Sequence, residues 1–201
     1  MDCDVVLIPE KRIAEQAVAA SRQLSRLGSS FVLEDGKVFP HLSLYILRFK
    51  PADLPNVEAS LRHIAHSANT VPAQATDYTF SHKYVVVDYR MTPAMVELQD
   101  ATVAALNPLR DGMPLSEQEN MSEATDPHVV ANFETYGYKY VGNFFRPHVT
   151  LTRFENEHQL EDYALPPVTN FDGEFVGIGL FQLGPHSTCV RKIAEFPFTA
   201  H

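Results

Sequence analysis

Residues 39–49 read FPHLSLYILRF, and residues 145–154 read FRPHVTLTRF. Both contain Pro-His-hydrophobic-hydroxyl-Leu, and both close on Arg-Phe. Side chains alternate across a strand. In the first copy His41, Ser43 and Tyr45 therefore share one face, with Leu42, Leu44 and Ile46 on the other. In the second copy His148, Thr150 and Thr152 oppose Val149 and Leu151. Each copy predicts a strand that packs one face into apolar surroundings and offers an imidazole and a hydroxyl on the other.

Two such strands side by side enclose a pocket with two imidazoles and two hydroxyl donors, a set that suits a phosphodiester. An unperturbed imidazole pKa of about 6.5 lets one ring take a proton from a nucleophile while the other gives one to the leaving oxygen. The hydroxyls can donate to the non-bridging phosphate oxygens as charge builds there. The bland alternative is mere strand entry, and the chain supplies its own controls among its four Pro-His pairs. Pro127-His128-Val129-Val130 lacks the hydroxyl, and Pro185-His186-Ser187-Thr188 follows Gly184 like a hairpin turn. Neither repeats the five-position match of the two motifs.

Charge is placed in keeping with this. The 201 residues carry a net charge of −9, which argues against a protein that grips long duplex nucleic acid by counterion release. Yet from Gly36 to Ala52 the charged residues are Lys37, Arg48 and Lys50, and from Thr135 to Phe154 they are Lys139, Arg146 and Arg153. Both motifs thus sit in acid-free, basic windows, compatible with a small phosphorylated ligand or an RNA end. Between Asp111 and Glu134 there are acids and no Lys or Arg.

Around the motifs, periodicity predicts strands at 3–9, 31–33, 41–49, 71–80, 84–90, 134–140, 147–154, 172–183 and 188–198. Helices are expected at 10–27, 54–68, 93–106 and 156–163, with Ser81-His82-Lys83 as a turn and residues 107–133 as a long, acidic, irregular loop insertion. Strands and helices mix without regular alternation, so the expected class is α+β with largely antiparallel sheets, in one bilobal domain of 1–201. No Gly-rich phosphate loop follows a strand. No apolar run reaches membrane-spanning length, and the start MDCDVVLIPEKR carries acids where a signal peptide needs bases. Cys3 and Cys189 match no metal-ligand spacing and are read as structural. A cytoplasmic monomer without a membrane partner is the default expectation.

His-hydrophobic-Thr/Ser-hydrophobic, occurring twice, resembles the signature of the two-histidine (2H) phosphoesterase superfamily, which includes 2′-5′ RNA ligase-like proteins and cyclic nucleotide phosphodiesterases. The resemblance is carried by His41 to Leu44 and His148 to Leu151. It implies a bilobal fold with pseudo-twofold symmetry, its motif strands facing a central cleft. It implies metal-independent chemistry, with no cofactor, on a 2′,3′-cyclic phosphate or 2′-5′ phosphodiester of a nucleotide or RNA end. On that pattern His41 and His148 are the acid–base pair, and Ser43 and Thr150 hold phosphate. Ser43 stands where Thr is commoner. A basic residue after the second motif is frequent in relatives, and Arg153 occupies that place, although strict alternation points it away from His148.

Other candidates are weaker. Tyr45 lies on the His41 face and could donate or stack. Tyr136, Tyr138, Tyr140, Phe144 and Phe145 crowd the second motif, where aromatics stack on bases or simply pack. Arg146 could face phosphate or solvent. His63 and His66 have possible metal spacing but no completing ligand, so surface histidines are the better account, and no metal site is expected. The main rival is a non-catalytic module that captures a nucleotide or RNA end in the same cleft. A weaker one is an interaction protein whose acidic insertion docks a basic partner.

Overall fold

The computed structural model describes residues 1–81, 83–156 and 165–199. Strand β1 (Asp2–Pro9) leads into helix α1 (Lys11–Leu24), whose buried stripe is Ile13, Ala17, Ala20, Ser21 and Leu24. The chain leaves α1 through a short 3-10 turn and Gly28, whose φ of 84° is the left-handed conformation that glycine adopts most readily. Then follow β2 (Leu42–Arg48), α2 (Leu54–His66), β3 (Val71–Ala73), β4 (Ala75–Ser81), β5 (Tyr84–Tyr89) and α3 (Pro93–Leu106). Helix α3 begins as its sequence suggests, with Pro93 in the first turn and Thr92 Oγ1 accepting from Met95 N.

Residues 107–133 are not an irregular loop. They form a 3-10 turn, helix α4 (Leu115–Ser122) and most of helix α5 (Pro127–Tyr136). The strand expected at 134–140 is absent, because α5 runs to Tyr136 and ends on Gly137 at φ 69°. The local signals are those of helix capping: Asp126 accepts from His128 N, Pro127 opens the helix and Gly137 closes it. The expected FVL strand also fails, since side chains take its backbone groups. Leu33 N donates to Ser21 Oγ, and Phe31 O accepts from Thr152 Oγ1. The helix expected at 156–163 and the turn residue His82 lie largely outside the described residues.

After β6 (His148–Arg153), strands β7 (Gly173–Leu183) and β8 (Cys189–Pro197) complete an α+β fold with two antiparallel sheets. One sheet has the order β2-β1-β7-β3 with β8 also on β7, and the other is β4-β5-β6. The motif strands β2 and β6 lie at the edges of different sheets and touch each other. Helix α1 packs against β6, while α2 lies against β7 and β8 and α3 against β2. The fully buried side chains Leu7, Ile13, Leu42, Leu44, Phe49, Leu151 and Phe154 form part of one core continuous across both sheets. No described helix is long and apolar enough to cross a membrane.

Both motif strands carry a β-bulge at the same place. On β2 the register runs Leu42–Leu7, Ser43–Val6 and then Tyr45–Val5, skipping Leu44. On β6 it runs Val149–Val87, Thr150–Val86 and then Thr152–Val85, skipping Leu151. A skipped residue inverts the alternation beyond it. This is the internal symmetry of the fold at the level of single residues.

Candidate active site

The bulge decides which motif residues share a face. Tyr45 does not stay with His41 and Ser43. It is fully buried, and its hydroxyl donates to Asn107 Oδ1 at 2.9 Å and Tyr136 O at 2.7 Å. Its expected role toward substrate is therefore withdrawn. Thr152, at the matching place, is likewise buried and donates to Phe31 O. Arg153 gains what Tyr45 loses. It pairs with Tyr84, two residues from the Thr150 partner Val86, so the inverted parity returns it to the face of Thr150 and His148. Its guanidinium lies over the Tyr84 ring at 5.6 Å, and Nη1 donates to Ser30 Oγ at 3.2 Å.

The two imidazoles are held alike. His41 Nδ1 lies 2.8 Å from Phe39 O, and His148 Nδ1 lies 2.7 Å from Arg146 O. A carbonyl can only accept, so Nδ1 carries hydrogen in both rings and Nε2 is left as the reactive nitrogen. Each ring thus bonds to the carbonyl two residues before it, across the Pro of its own motif. Burial pushes His41 down to about 4, against the Phe39 carbonyl, which raises it, and with help from the nearby charge of His148. Burial also lowers His148, opposed by the Arg146 carbonyl. Burial thus works against the imidazolium in both rings, so a charged ring needs an anion beside it, and the His41 side chain is only 12% exposed.

Their surroundings differ. Ser43 Oγ donates to Asp4 Oδ2 at 2.6 Å, and that oxygen lies 3.5 Å from His41 Nε2 and 4.0 Å from Cys189 Sγ. Asp4 is fully buried, its Oδ1 has no partner among the described residues, and burial lifts its carboxyl well above the usual range. Neither Asp4 nor Cys189 could be found from sequence, because they join His41 only through β1 and β8. On the other side Thr150 Oγ1 has no hydrogen-bond partner among the described residues, and the Tyr140 ring meets His148 edge-on at 5.9 Å. Arg146 is committed to Asp88, with Nε and Nη2 at 3.0 and 2.9 Å from its two oxygens, rather than free for phosphate. Tyr138 packs against Tyr45 at 6.3 Å, Phe145 is buried, and His63 and His66 are exposed.

The insertion contributes a further residue. Glu117 of α4 is 2% exposed, and its charge is felt by Asp4, Tyr84 and Tyr138. Asn120 Nδ2 donates to its Oε1 at 3.0 Å, while Oε2 has no partner among the described residues. Burial raises this carboxyl to about 7, against the Lys139 ammonium and the Asn120 bond. From α3, the buried Gln99 ties the two motifs together. Its Nε2 donates to Leu44 O at 3.2 Å and Tyr140 O at 2.6 Å, and its Oε1 accepts from Gly142 N at 3.2 Å.

A sequence profile described as "Protein of unknown function (DUF1045)" matches residues 47–171. The chain belongs to this family. The matched stretch holds His148 and Thr150 but begins after His41 and Ser43. No curated protein matches the sequence. Among solved structures, TT0787 of Thermus thermophilus is 15% identical, with 100% of each chain covered and a TM-score of 0.61. Escherichia coli LigT complexed with 3′-AMP is 14% identical, with 98% of this chain and 97% of that one covered and a TM-score of 0.62. The PDE domain of MHV ns2 is 14% identical, with 91% and 100% covered and a TM-score of 0.53. The chain therefore has the LigT-like fold.

Proposed function

We propose that this protein is a metal-independent phosphoesterase that opens a 2′,3′-cyclic phosphate, or cuts a 2′-5′ linkage, at a nucleotide or RNA end. One observation carries the reading. Two imidazoles on touching strands have their Nδ1 atoms fixed in the same way, so both offer Nε2 for proton transfer. One Nε2 takes a proton from water as its oxygen attacks phosphorus. The bond from phosphorus to the 2′ or 3′ oxygen breaks, and the other ring, made an imidazolium as the anionic phosphate binds beside it, supplies that oxygen with its Nε2 proton. The ring that began neutral ends protonated and the other the reverse, so solvent exchange resets the pair.

Ser43, Thr150 and Arg153 are assigned to the phosphate oxygens, Thr150 being the hydroxyl with its hydrogen uncommitted. The fold of LigT, a protein crystallised with 3′-AMP, supports a nucleotide-sized ligand. The net charge of −9 favours that over a long duplex.

The test is turnover of 2′,3′-cyclic nucleotides, a cyclic-phosphate-ended RNA and a 2′-5′ dinucleotide in EDTA, with wild type, His41→Ala and His148→Ala. Activity that survives chelation and falls about 100- to 10,000-fold in each variant is expected. Tight binding with no turnover of any substrate would favour the binding-module reading. Wild-type rates in both variants would sink the acid–base scheme.

A further inference from the structure

Three elements far apart in sequence converge at His41. Asp4 comes from β1, His41 from the residue before β2, and Cys189 from the start of β8. One ligand atom from each, a carboxylate oxygen, an imidazole nitrogen and a thiol sulfur, lies within 4.8 Å of the other two. Oδ2 is 3.5 Å from Nε2 and 4.0 Å from Sγ. Bonds of about 2.0–2.3 Å around tetrahedral zinc set ligand separations near about 3.5 Å. Side-chain adjustments of about 1 Å bring this trio to that spacing.

The supporting contacts are those of a ligand set. A metal-bound imidazole donates its other N–H to a carbonyl or carboxylate. His41 Nδ1 does so to Phe39 O. A ligating carboxylate is itself hydrogen-bonded, and Ser43 Oγ donates to Asp4. Asp4 is fully buried with its second oxygen unpartnered among the described residues, a cost that a cation would remove. A mixed sulfur, nitrogen and oxygen set with three protein ligands suits zinc rather than magnesium or calcium. Among the described residues the second lobe has nothing equivalent, because the place of Asp4 in the register is taken there by Tyr84.

We infer that Asp4, His41 and Cys189 form a zinc site that holds the phosphoesterase inactive by occupying His41 Nε2. A nitrogen whose lone pair is given to a metal can neither accept nor donate a proton. The inhibitory role rests on the function proposed above, whereas the metal site does not.

Cobalt is the probe, because a thiolate bound to it produces charge-transfer absorption. Metal-free wild type, Cys189→Ser, Asp4→Asn and Cys3→Ala are titrated with Co²⁺ and then Zn²⁺, with circular dichroism following the fold. The expected result is one cobalt per chain with a thiolate band that zinc displaces. The band persists in Cys3→Ala and vanishes in Cys189→Ser, and zinc affinity falls at least about tenfold in Asp4→Asn. Zinc should also stop hydrolysis of a 2′,3′-cyclic nucleotide, and EDTA should restore it. No thiolate band, or one that survives in Cys189→Ser, overturns the site. If Cys189→Ser does not fold, undiminished zinc affinity in Asp4→Asn overturns it instead. A band without inhibition overturns the switch. A band in a protein that never hydrolyses the substrate overturns the phosphoesterase reading and leaves the metal site standing.

Discussion

Leu44 and Leu151 occupy the same station in the two halves of the molecule, each being the residue its strand register skips. The consequence falls on the residue that follows. Tyr45 and Thr152 turn away from the cleft, and Arg153, one further along, turns toward it. Tyr45→Phe should therefore leave KM and kcat for a cyclic nucleotide within about twofold of wild type. It removes the hydrogen that serves Asn107 and Tyr136 O, so it should lower stability by about 1–2 kcal/mol in denaturant titration. A large rise in KM with unchanged stability would return Tyr45 to the cleft.

Ser43 and Thr150 match in sequence but not in their partners. Thr150→Ala removes a hydroxyl that has no partner among the described residues. Stability should stay within about 0.5 kcal/mol of wild type, while kcat drops about 100-fold. Ser43→Ala should cost activity and also about 1–3 kcal/mol of stability, because it takes the hydroxyl donor from the buried Asp4. Paired kinetic and urea measurements on both variants separate the roles. Equal stability losses would mean that Asp4 does not depend on Ser43.

The contrast marks how far a sequence reading reaches. Alternation and helical periodicity locate α1, α2, α3 and both motif strands, because each buries one regular apolar face. The same alternation misplaces Tyr45 and leaves Arg153 doubtful, since a bulge is written in the pairing of two strands and not in either one alone. Helices α4 and α5 read as loop because their polar, acidic faces hide the periodicity, although the capping residues Asp126, Pro127 and Gly137 are present to be read. Asp4, Gln99, Glu117 and Cys189 reach the site through tertiary packing, for which the linear chain holds no local signal.

Glu117 gives a pH dependence with a definite sign. Its carboxyl titrates near 7 in the folded chain and at the ordinary 4.5 when unfolded. The folded state thus binds the extra proton between those values, and stability from this group falls as pH rises through that window. The loss amounts to about 3 kcal/mol above pH 7, with Lys139 and Asn120 opposing it. Glu117→Gln should raise the melting temperature at pH 8 and change it little at pH 4. A variant destabilised equally at both values would show that the carboxylate is stabilised in place.

Gln99 offers the sharpest separation of positioning from chemistry. Its hydrogen bonds go to backbone groups, to Leu44 O in one motif strand and to Tyr140 O and Gly142 N in the approach to the other. Gln99→Leu keeps the volume and removes all three bonds, leaving two carbonyls and an N–H without their partner. A loss of about 3 kcal/mol or more is expected. At temperatures where the variant remains folded, kcat should fall about tenfold or more, because the bulge of β2 and the Tyr140 ring beside His148 lose their common tether. Gln99→Glu at low pH, where the side chain is neutral, restores one donor and should recover part of both. If Gln99→Leu is destabilised but turns over at the wild-type rate, the two motifs keep their alignment without this bridge.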